Sequence, residues 1–250
     1  MAQFANINRV YKTVKYFLDK NGHGYYKVDT FNTFAPLAQR DLFIELLDEY
    51  TRAKSSRASR IRGKAGNDRS FVDIQQDLRP LHVSFSSLTS PTANNVFDYP
   101  DDYEYYTQLS TAYTPCEVIS SDDADFPYIM SSQLAEPSEK FPVALMTDRT
   151  INILPSSVTA AELSYYKTPQ GSDVSGNKST QQPTWAYTIP VGTNIEAYNP
   201  TASINFELPS NVEHRLAWRI LEYFGVNLRE KEVENYAMVK QQQQDQKEMI

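Results

Sequence analysis

The side chains best suited to catalysis are few and scattered along this 250-residue chain. The histidines are His23, His82 and His214, and Cys116 is the single cysteine. A nucleophile needs a base within hydrogen-bond reach, and the sequence contains no glycine-rich phosphate loop, nucleophile elbow or His-Glu-x-x-His zinc motif. We therefore expect no enzyme activity and no cofactor. His82 is expected in a strand with its ring hydrogen-bonded, His214 on a helix flank, and Cys116 as a small buried side chain rather than a reactive thiol.

Two acidic clusters have the oxygen ligands that a hard cation prefers. One contains Asp98, Asp101, Asp102 and Glu104, and the other contains Asp122, Asp123 and Asp125. Neither has the glycine and the spaced final glutamate of a calcium-binding loop. We expect solvated turns in which aspartates cap local N–H groups, and no metal site.

The strongest charge feature is a basic segment, residues 52–69. Seven basic residues and one acid, Asp68, give it a net charge of +6, which leaves −13 for the rest of a chain whose net charge is −7. The basic residues are Arg52, Lys54, Arg57, Arg60, Arg62, Lys64 and Arg69. Interspersed serines and glycines favour a mobile loop or a frayed helix extension, and the aromatics that would stack on bases are missing. The segment is either a solvated loop or a contact for phosphate or an acidic protein surface.

The composition is that of a chain with a sizeable core, made in a reducing compartment. A chain of this length buries roughly 70–75% of the surface that its unfolded form exposes. The lone cysteine excludes an internal disulfide framework. Neither a secretory leader nor a run of about 18 apolar residues is present, so we expect a soluble protein, cytoplasmic at synthesis and without a membrane partner.

Helical periodicity marks the N-terminal part of the chain. Apolar residues recur at helical spacing from about Ala5 to Asp19, which predicts the first helix. Asp29 or Thr30 is expected to cap the second helix. Pro36 lies inside its pattern, which predicts either a late start near Thr33 or a kink. The apolar stripe of this helix is broadened by Leu37, Ile44 and Leu47, so we expect it to contact more than one neighbour.

Two further helices are predicted at the C-terminal end. Ser210 and Glu213 have the spacing of a capping box, and Gly225 occupies a position where a left-handed residue ends a helix. The helix that follows is too polar for a core, which predicts that it packs outside its own fold. Its apolar residues, the candidate contacts between subunits, include Leu228, Val233, Tyr236 and Val239.

The middle of the chain changes from helical to alternating periodicity, with prolines between the alternating segments. The alternating segments are Leu81–Ser86, Thr150–Ile153, Leu163–Tyr165, Trp185–Ile189 and Ile204–Leu208. Residues 103–111 could form a helical turn or a short helix, and residues 160–162 could begin either a turn or a strand. Residues 170–183 have the composition of an exposed hairpin tip or long loop. We predict an α+β fold in which helical N- and C-terminal segments flank an antiparallel β-sheet or small sandwich. Its parts are residues 1–78, 79–209 and 210–250, in one structural unit.

The order of four sequence segments resembles that of a known protein family. These segments are Ile7–Tyr11, Phe31–Gln39, Leu163–Pro169, and Ile204–Pro209 leading into Ile220–Glu230. In this order the chain resembles virion structural proteins of tailed bacteriophages. It is most similar to ring proteins of crAss-like and related short-tailed phages, in the plan of head-to-tail adaptors of the gatekeeper or tail tubular A kind. The resemblance covers nearly the whole chain.

The resemblance implies a homo-oligomeric ring, typically of twelve copies, stacked below the portal protein and above other tail proteins of the virion. Such a ring is assembled in the host cytoplasm and lines the conduit through which genomic DNA passes without sequence-specific binding. The overall negative charge suits a lumen that repels phosphates, and the basic segment then docks on an acidic portal or tail surface. Replacing Arg57, Arg60 and Arg62 with serine is expected to weaken that docking.

A carbohydrate-binding or adhesion module is the alternative interpretation. Its aromatic platform would consist of Trp185, Tyr187, Tyr103, Tyr105 and Tyr106. The helices predicted at both ends of the chain favour the ring protein over this module.

Overall fold

The computed structural model describes residues 4–20, 27–60, 71–88, 95–111, 114–120, 136–172, 178–192 and 196–225. The predicted α+β class is confirmed, with helices towards both ends of the chain and sheets between them. Contacts divide the chain into two compact units, Met1–Pro80 with Pro169–Ile250, and Leu81–Thr168. We call them the helical unit and the strand unit. Residues 169–209, assigned to the β-rich part by sequence, group with the helices.

Four helices form most of the helical unit. They are α1 (Ile7–Lys20), α2 (Val28–Arg60), α3 (Phe71–Leu78) and α4 (Glu213–Tyr223). A single 3-10 turn, Arg79–Leu81, follows α3. Helix α4 packs on both α1 and α2 and buries Leu216 and Ile220. The predicted left-handed end is confirmed, because Gly225 has a φ of 66° and its N–H donates to the Glu222 carbonyl.

Helix α2 differs from its prediction at its start. It begins at Val28, so the late start near Thr33 is wrong and Pro36 lies inside the helix. Asp29 and Thr30 are not caps, because the N–H of Thr30 already donates to the Lys27 carbonyl inside the first turn. The free energy gained by burying the long apolar stripe of α2 exceeds the local free-energy cost of one proline.

Two four-stranded sheets form the strand unit. The strands are β1 (His82–Ser87), β2 (Val96–Asp98), β3 (Tyr103–Thr111), β4 (Thr114–Pro115), β5 (Glu117–Ser120), β6 (Val143–Met146), β7 (Thr150–Leu154) and β8 (Ala161–Lys167). Their orders are β1-β8-β3-β4 and β2-β7-β6-β5. Every pair is antiparallel except β5 with β6, which is parallel. Phe97, Ile151, Leu109 and Leu163 bring side chains from both sheets into one buried cluster, as in a β-sandwich.

Short strands complete the helical unit. They are β9 (Gly171–Ser172), β10 (Lys178–Ser179), β11 (Tyr187–Thr188), β12 (Ala197–Tyr198) and β13 (Asn205–Phe206). The predicted strands at 185–189 and 204–208 are therefore much shorter than expected. Gly171 and Ser172 are buried, in contrast to the exposed hairpin tip or long loop predicted there. A Cβ at Gly171 would lie 2.2 Å from the Ile204 side chain. Only glycine fits this close approach.

The start of α1 is held by residues from the other end of the chain. Within the helix, the Asn6 side chain accepts hydrogen bonds from the N–H groups of Asn8 and Arg9, as a helix N-cap does. The N–H of Ile7 donates to Asn205 Oδ1 of β13, at 3.0 Å and fully buried. The first N–H groups of a helix have no partner within it, so these contacts satisfy groups that burial would otherwise leave unpaired.

Glu213 joins this junction, and the capping box predicted for it is wrong. No side-chain cap is present at the start of α4, and a 3-10 turn over Ser210–Val212 precedes the helix instead. Glu213 Oε1 accepts the N–H of Asn6 at 2.8 Å and lies 3.2 Å from the Arg9 guanidinium. Because the Glu213 carboxylate contacts the start of α1, it does not cap the first turn of α4.

Replacing Glu213 with alanine should destabilise the helical unit by about 1–3 kcal/mol, because the part-buried Asn6 N–H loses its acceptor. Glu222→Ala is the matched control, since Glu222 lies on the same helix with a 64% exposed side chain and pairs with Arg219. It should cost roughly 0–1 kcal/mol. Denaturant unfolding measures both, and equal losses would contradict the role given to Glu213.

Candidate functional site

The first half of the basic segment continues α2 as a helix. Arg52 and Lys54 are exposed on it, and Arg57 and Arg60 belong to its backbone span. Arg62, Lys64 and Arg69 lie outside the described residues. With 33 residues α2 is about 50 Å long, and cations near its C-terminal end complement the helix dipole. The part of the chain that is described therefore presents this charge on a helix end.

The predicted subunit-contact residues of the last helix cannot be placed in the same way. Leu228, Val233, Tyr236 and Val239 all lie outside the described residues, which end at Gly225. The contact assigned to them stays a prediction.

A ladder of ion pairs fixes α4 along one flank of α2. Arg215 lies 3.0 Å from both Glu45 and Glu49, and Arg219 lies 2.9 Å from Glu45 and from Glu222. At the end of the ladder, the Tyr223 hydroxyl donates to Asp41. These residues recur every four positions, so the contacts share one side of each helix. Helix α2 also has exposed apolar residues beside this ladder.

Two of them form a pair close to Asp41, which we call the outer stripe. It consists of Leu37 and Ile44, which are 46% and 43% exposed and lie seven residues apart. Seven residues are two helical turns, so the two side chains lie on one face of α2. The breadth predicted for the stripe is thus present, and this part of it is uncovered within the chain.

A second exposed apolar surface lies at the end of a short hairpin. Strands β11 and β12 pair antiparallel, and the chain beyond β11 runs through Ile189, Pro190 and Val191. We call these three residues the hairpin tip. Ile189 is 58% exposed and Val191 is fully exposed.

The base of this hairpin is anchored firmly in the helical unit. Trp185 stacks on Tyr11 of α1 with ring centroids 3.9 Å apart, and its Nε1–H donates to Asn8. The side chain of Asn32 on α2 bonds both the N–H and the carbonyl of Trp185. Trp185 is 4% exposed, so its ring is unavailable as the carbohydrate platform of the alternative interpretation.

The ring of His82 is hydrogen-bonded on both sides, as predicted. The Thr107 hydroxyl donates to the Ser164 carbonyl at 2.8 Å, so it accepts from His82 Nε2–H at 3.3 Å. The other nitrogen, Nδ1, then accepts the hydroxyl proton of Ser84 at 3.1 Å. Sequence analysis missed this Ser84–His82 pair, although two residues on alternate positions of a strand share a face.

The backbone beside the Ser84–His82 pair is itself hydrogen-bonded. The next residue, Phe85, has a φ of 51° at an irregularity in β1, and its N–H donates to Ser164 Oγ. That N–H is therefore engaged rather than directed towards an oxyanion. The hydrogen bonds connect side chains of β1, β3 and β8 on one side of the sheet.

Two of the described residues of the first acidic cluster form structural contacts. Asp102 accepts the Tyr165 hydroxyl at 2.7 Å, and Glu104 accepts the Thr168 hydroxyl at 3.0 Å. Burial, followed by this bond to Asp102, raises the pKa of Tyr165 well above its usual range. Nowhere in the described part of the chain do three or more His, Cys, Asp or Glu side chains gather as metal ligands. The cluster at 122–125 lies outside the described residues.

An open cavity of about 330 Å³ lies between α1 and the start of α4. Arg9, Thr13, Ser210 and His214 are among its lining residues. His214 is exposed on the flank of α4, as predicted. Because Arg9 is paired with Glu213, the wall of the cavity has no uncompensated arginine for an anion.

A scan against models of protein families and a search of curated proteins both find no match to this chain. Among the described residues, no helix has the length and apolarity needed to span a membrane. The function must therefore be argued from the surfaces described above.

Cys116, half-buried between β4 and β5, should react slowly with alkylating agents. Burial raises the pKa of its thiol to about 11, against a usual value near 9. At pH 8 the reactive thiolate is then about 100-fold scarcer than in the unfolded chain, and iodoacetamide labelling should slow by that factor. Mass spectrometry of the native and guanidinium-unfolded chains measures both rates, and equal rates would contradict the burial.

The strand unit should lose stability as the pH falls, through His82. Burial lowers the pKa of His82 from its usual value of about 6.5, so the unfolded chain takes up this proton at a higher pH than the folded chain. The contribution of neutral His82 to the free energy of unfolding is complete above about pH 6.5. It is lost as the pH falls towards the lower pKa of the folded chain. Denaturant titrations across this range should show a smaller pH slope for His82→Gln, and an unchanged slope would exclude His82 as the cause.

Proposed function

We propose that this protein is a virion structural protein that forms a homo-oligomeric ring in the head-to-tail connector of a tailed bacteriophage. The ring joins the portal protein to adjacent tail proteins and lines the conduit for genomic DNA. The order of sequence segments described above is the basis of this assignment. Its two outer surfaces and its charge distribution support it.

The observation that carries the proposal is that one compact unit exposes two separate apolar surfaces. The outer stripe lies on α2, and the hairpin tip lies beyond β11. A ring of identical subunits needs two different surfaces on each copy, each complementary to the other. A self-complementary dimer needs one. Two such surfaces are among the exposed apolar residues of the helical unit.

The charge distribution fits the stacking of such a ring on another protein. The exposed cations Arg52 and Lys54 lie towards the C-terminal end of α2, while the chain as a whole has a net charge of −7. A negative subunit repels the phosphates of passing DNA, which lets the genome slide rather than adhere. The basic helix end is therefore suited to an acidic surface on the portal or tail.

The ring itself is tested by native mass spectrometry or mass photometry of the full chain, alone and mixed with the portal protein of the same virion. We expect a closed ring, of about twelve copies by the resemblance, or a monomer that forms the ring on the portal. A chain that stays monomeric in both samples would overturn the proposal.

Replacing Arg52 and Lys54 with serine should weaken binding to the portal ring without changing the ring itself. Exposed ion pairs contribute roughly 0.2–1 kcal/mol each, so the loss of two should raise Kd about 2- to 30-fold at low salt, and the difference should shrink at high salt. Lys12→Ser with Lys15→Ser removes the same charge from exposed positions on α1 and is the matched control. Equal weakening by both pairs would show a general charge effect and contradict a basic docking surface on α2.

A further inference from the structure

A group of aromatic side chains is exposed on α1 and α4, and we infer that residues 226–239 of the same chain cover it. The group, which we call the aromatic patch, consists of Tyr16, Phe17 and Trp218. Covering the patch involves one copy of the chain, so this inference does not depend on the proposed ring.

The aromatic patch is continuous and open to solvent. The ring centroids of Tyr16 and Phe17 lie 5.8 Å apart, and those of Phe17 and Trp218 lie 5.1 Å apart. Tyr16 is 65% exposed and Trp218 is 36% exposed among the described residues. Single exposed apolar side chains are common on protein surfaces, whereas a contiguous group is typical of a surface that another element covers.

The patch lies near the place where the chain leaves α4. Arg9 of α1 pairs with Glu213 at the start of α4, and Phe17 contacts Trp218 further along both helices. The two helices therefore run side by side in the same direction. Trp218 precedes Gly225 by seven residues, which is about 10 Å along the helix axis.

Gly225 stops the chain from continuing along the axis of α4. Its φ is 66°, and its N–H donates to the Glu222 carbonyl, as in a left-handed helix end. Extended residues span about 3.3–3.6 Å each, so three of them can cover the distance of about 10 Å back to Trp218. Leu228, the third residue after Gly225, is thus an apolar side chain within reach of the patch.

The sequence beyond Leu228 has the composition of a segment that packs on an apolar surface. Val233, Tyr236 and Ala237 have the spacing of one helix face, and the polar run Gln241–Gln244 follows soon after them. An isolated helix shorter than about 12–15 residues is marginal in water, so such a segment needs an apolar surface to pack on. The aromatic patch is the surface beside its starting point.

Other occupants fit the patch less well. Sugars and bases stack on flat ring faces, but the planes of Tyr16 and Phe17 differ by 79° and those of Phe17 and Trp218 by 42°. A second copy would compete with a segment held on a short tether, whose effective concentration is about millimolar. The sequence alone predicts a neighbouring subunit as the partner of these residues, whereas the position of Gly225 favours the patch of the same chain.

Quenching of tryptophan fluorescence by iodide tests the inference on the full chain. The chain has two tryptophans, and Trp185 is 4% exposed, so iodide quenching reports mainly on Trp218. Val233→Ser with Tyr236→Ser should raise the quenching constant about twofold or more, because two apolar side chains no longer hold the segment on the patch. Adding Trp218→Phe to this variant should remove the extra quenching.

Met249→Ser with Ile250→Ser is the matched control for the quenching experiment. It removes two apolar residues of the same segment, but beyond the run Gln241–Gln244. We expect this control to have the wild-type quenching constant. Circular dichroism of each variant should show the wild-type fold, since the described core contains none of the substituted residues.

Cross-linking distinguishes the patch of the same chain from that of a neighbour. The chain carries Cys116→Ser with Lys15→Cys and Ala237→Cys, which leave the aromatic side chains of the proposed contact in place. Isotopically labelled and unlabelled chains are mixed in denaturant, refolded together and treated with a short bismaleimide. Mass spectrometry should find linked peptides that carry the same isotope.

Val72→Cys replaces Lys15→Cys in the control for cross-linking. Val72 is 54% exposed on α3, outside the patch. We expect at least about tenfold less linked product with Val72→Cys, because a short linker joins only thiols that lie close together.

The outcomes separate this inference from the proposed function. Quenching that is unchanged by Val233→Ser with Tyr236→Ser overturns the inference. Linked peptides of different isotopes place the segment on a neighbouring copy and also overturn it. A chain that stays monomeric with and without the portal protein, yet links peptides of the same isotope, overturns the proposed function and supports the inference.

Discussion

The fold of the helical unit depends on satisfying the buried start of α1. Its first N–H groups cannot be paired within the helix, and they are met by Asn205 and Glu213 from the far end of the chain. The backbone of Ala5 also donates to the Leu208 carbonyl. These bonds bring the C-terminal segment against α1, and α4 follows directly from them. The two ends of the sequence thus form one unit.

Helix α2 is the common neighbour in this unit, and each of its sides has a different partner. The Glu45 side pairs with α4 through arginines, and Asn32 holds the hairpin base. Gln39, although fully buried, donates to the Gln170 carbonyl and accepts the N–H of Glu207. Beside the Glu45 side, Leu37 and Ile44 remain partly exposed.

The strand unit places most of its chemically active side chains in structural hydrogen bonds. His82 is held between Ser84 and Thr107, and Asp102 accepts the Tyr165 hydroxyl. Burial raises the pKa of Cys116, which removes its thiolate at neutral pH. These polar groups therefore support the sheet.

Elements controlled by local periodicity and backbone conformation can be predicted from the amino-acid sequence. The helix from Ile7, the left-handed Gly225 and the alternating strand at Thr150–Leu154 all follow from neighbours within a few residues. The exposed Leu37 and Ile44 were likewise visible as an excess of apolar residues on α2. Contacts between distant residues could be found only in the folded structure. Examples are the hydrogen bond from the Asn6 N–H to Glu213 and the stacking of Trp185 on Tyr11. Local patterns assigned Glu213 to its own helix because the capping box is a short-range signal. The long-range contact prevailed because the Asn6 N–H that donates to Glu213 is part-buried and has no partner within α1.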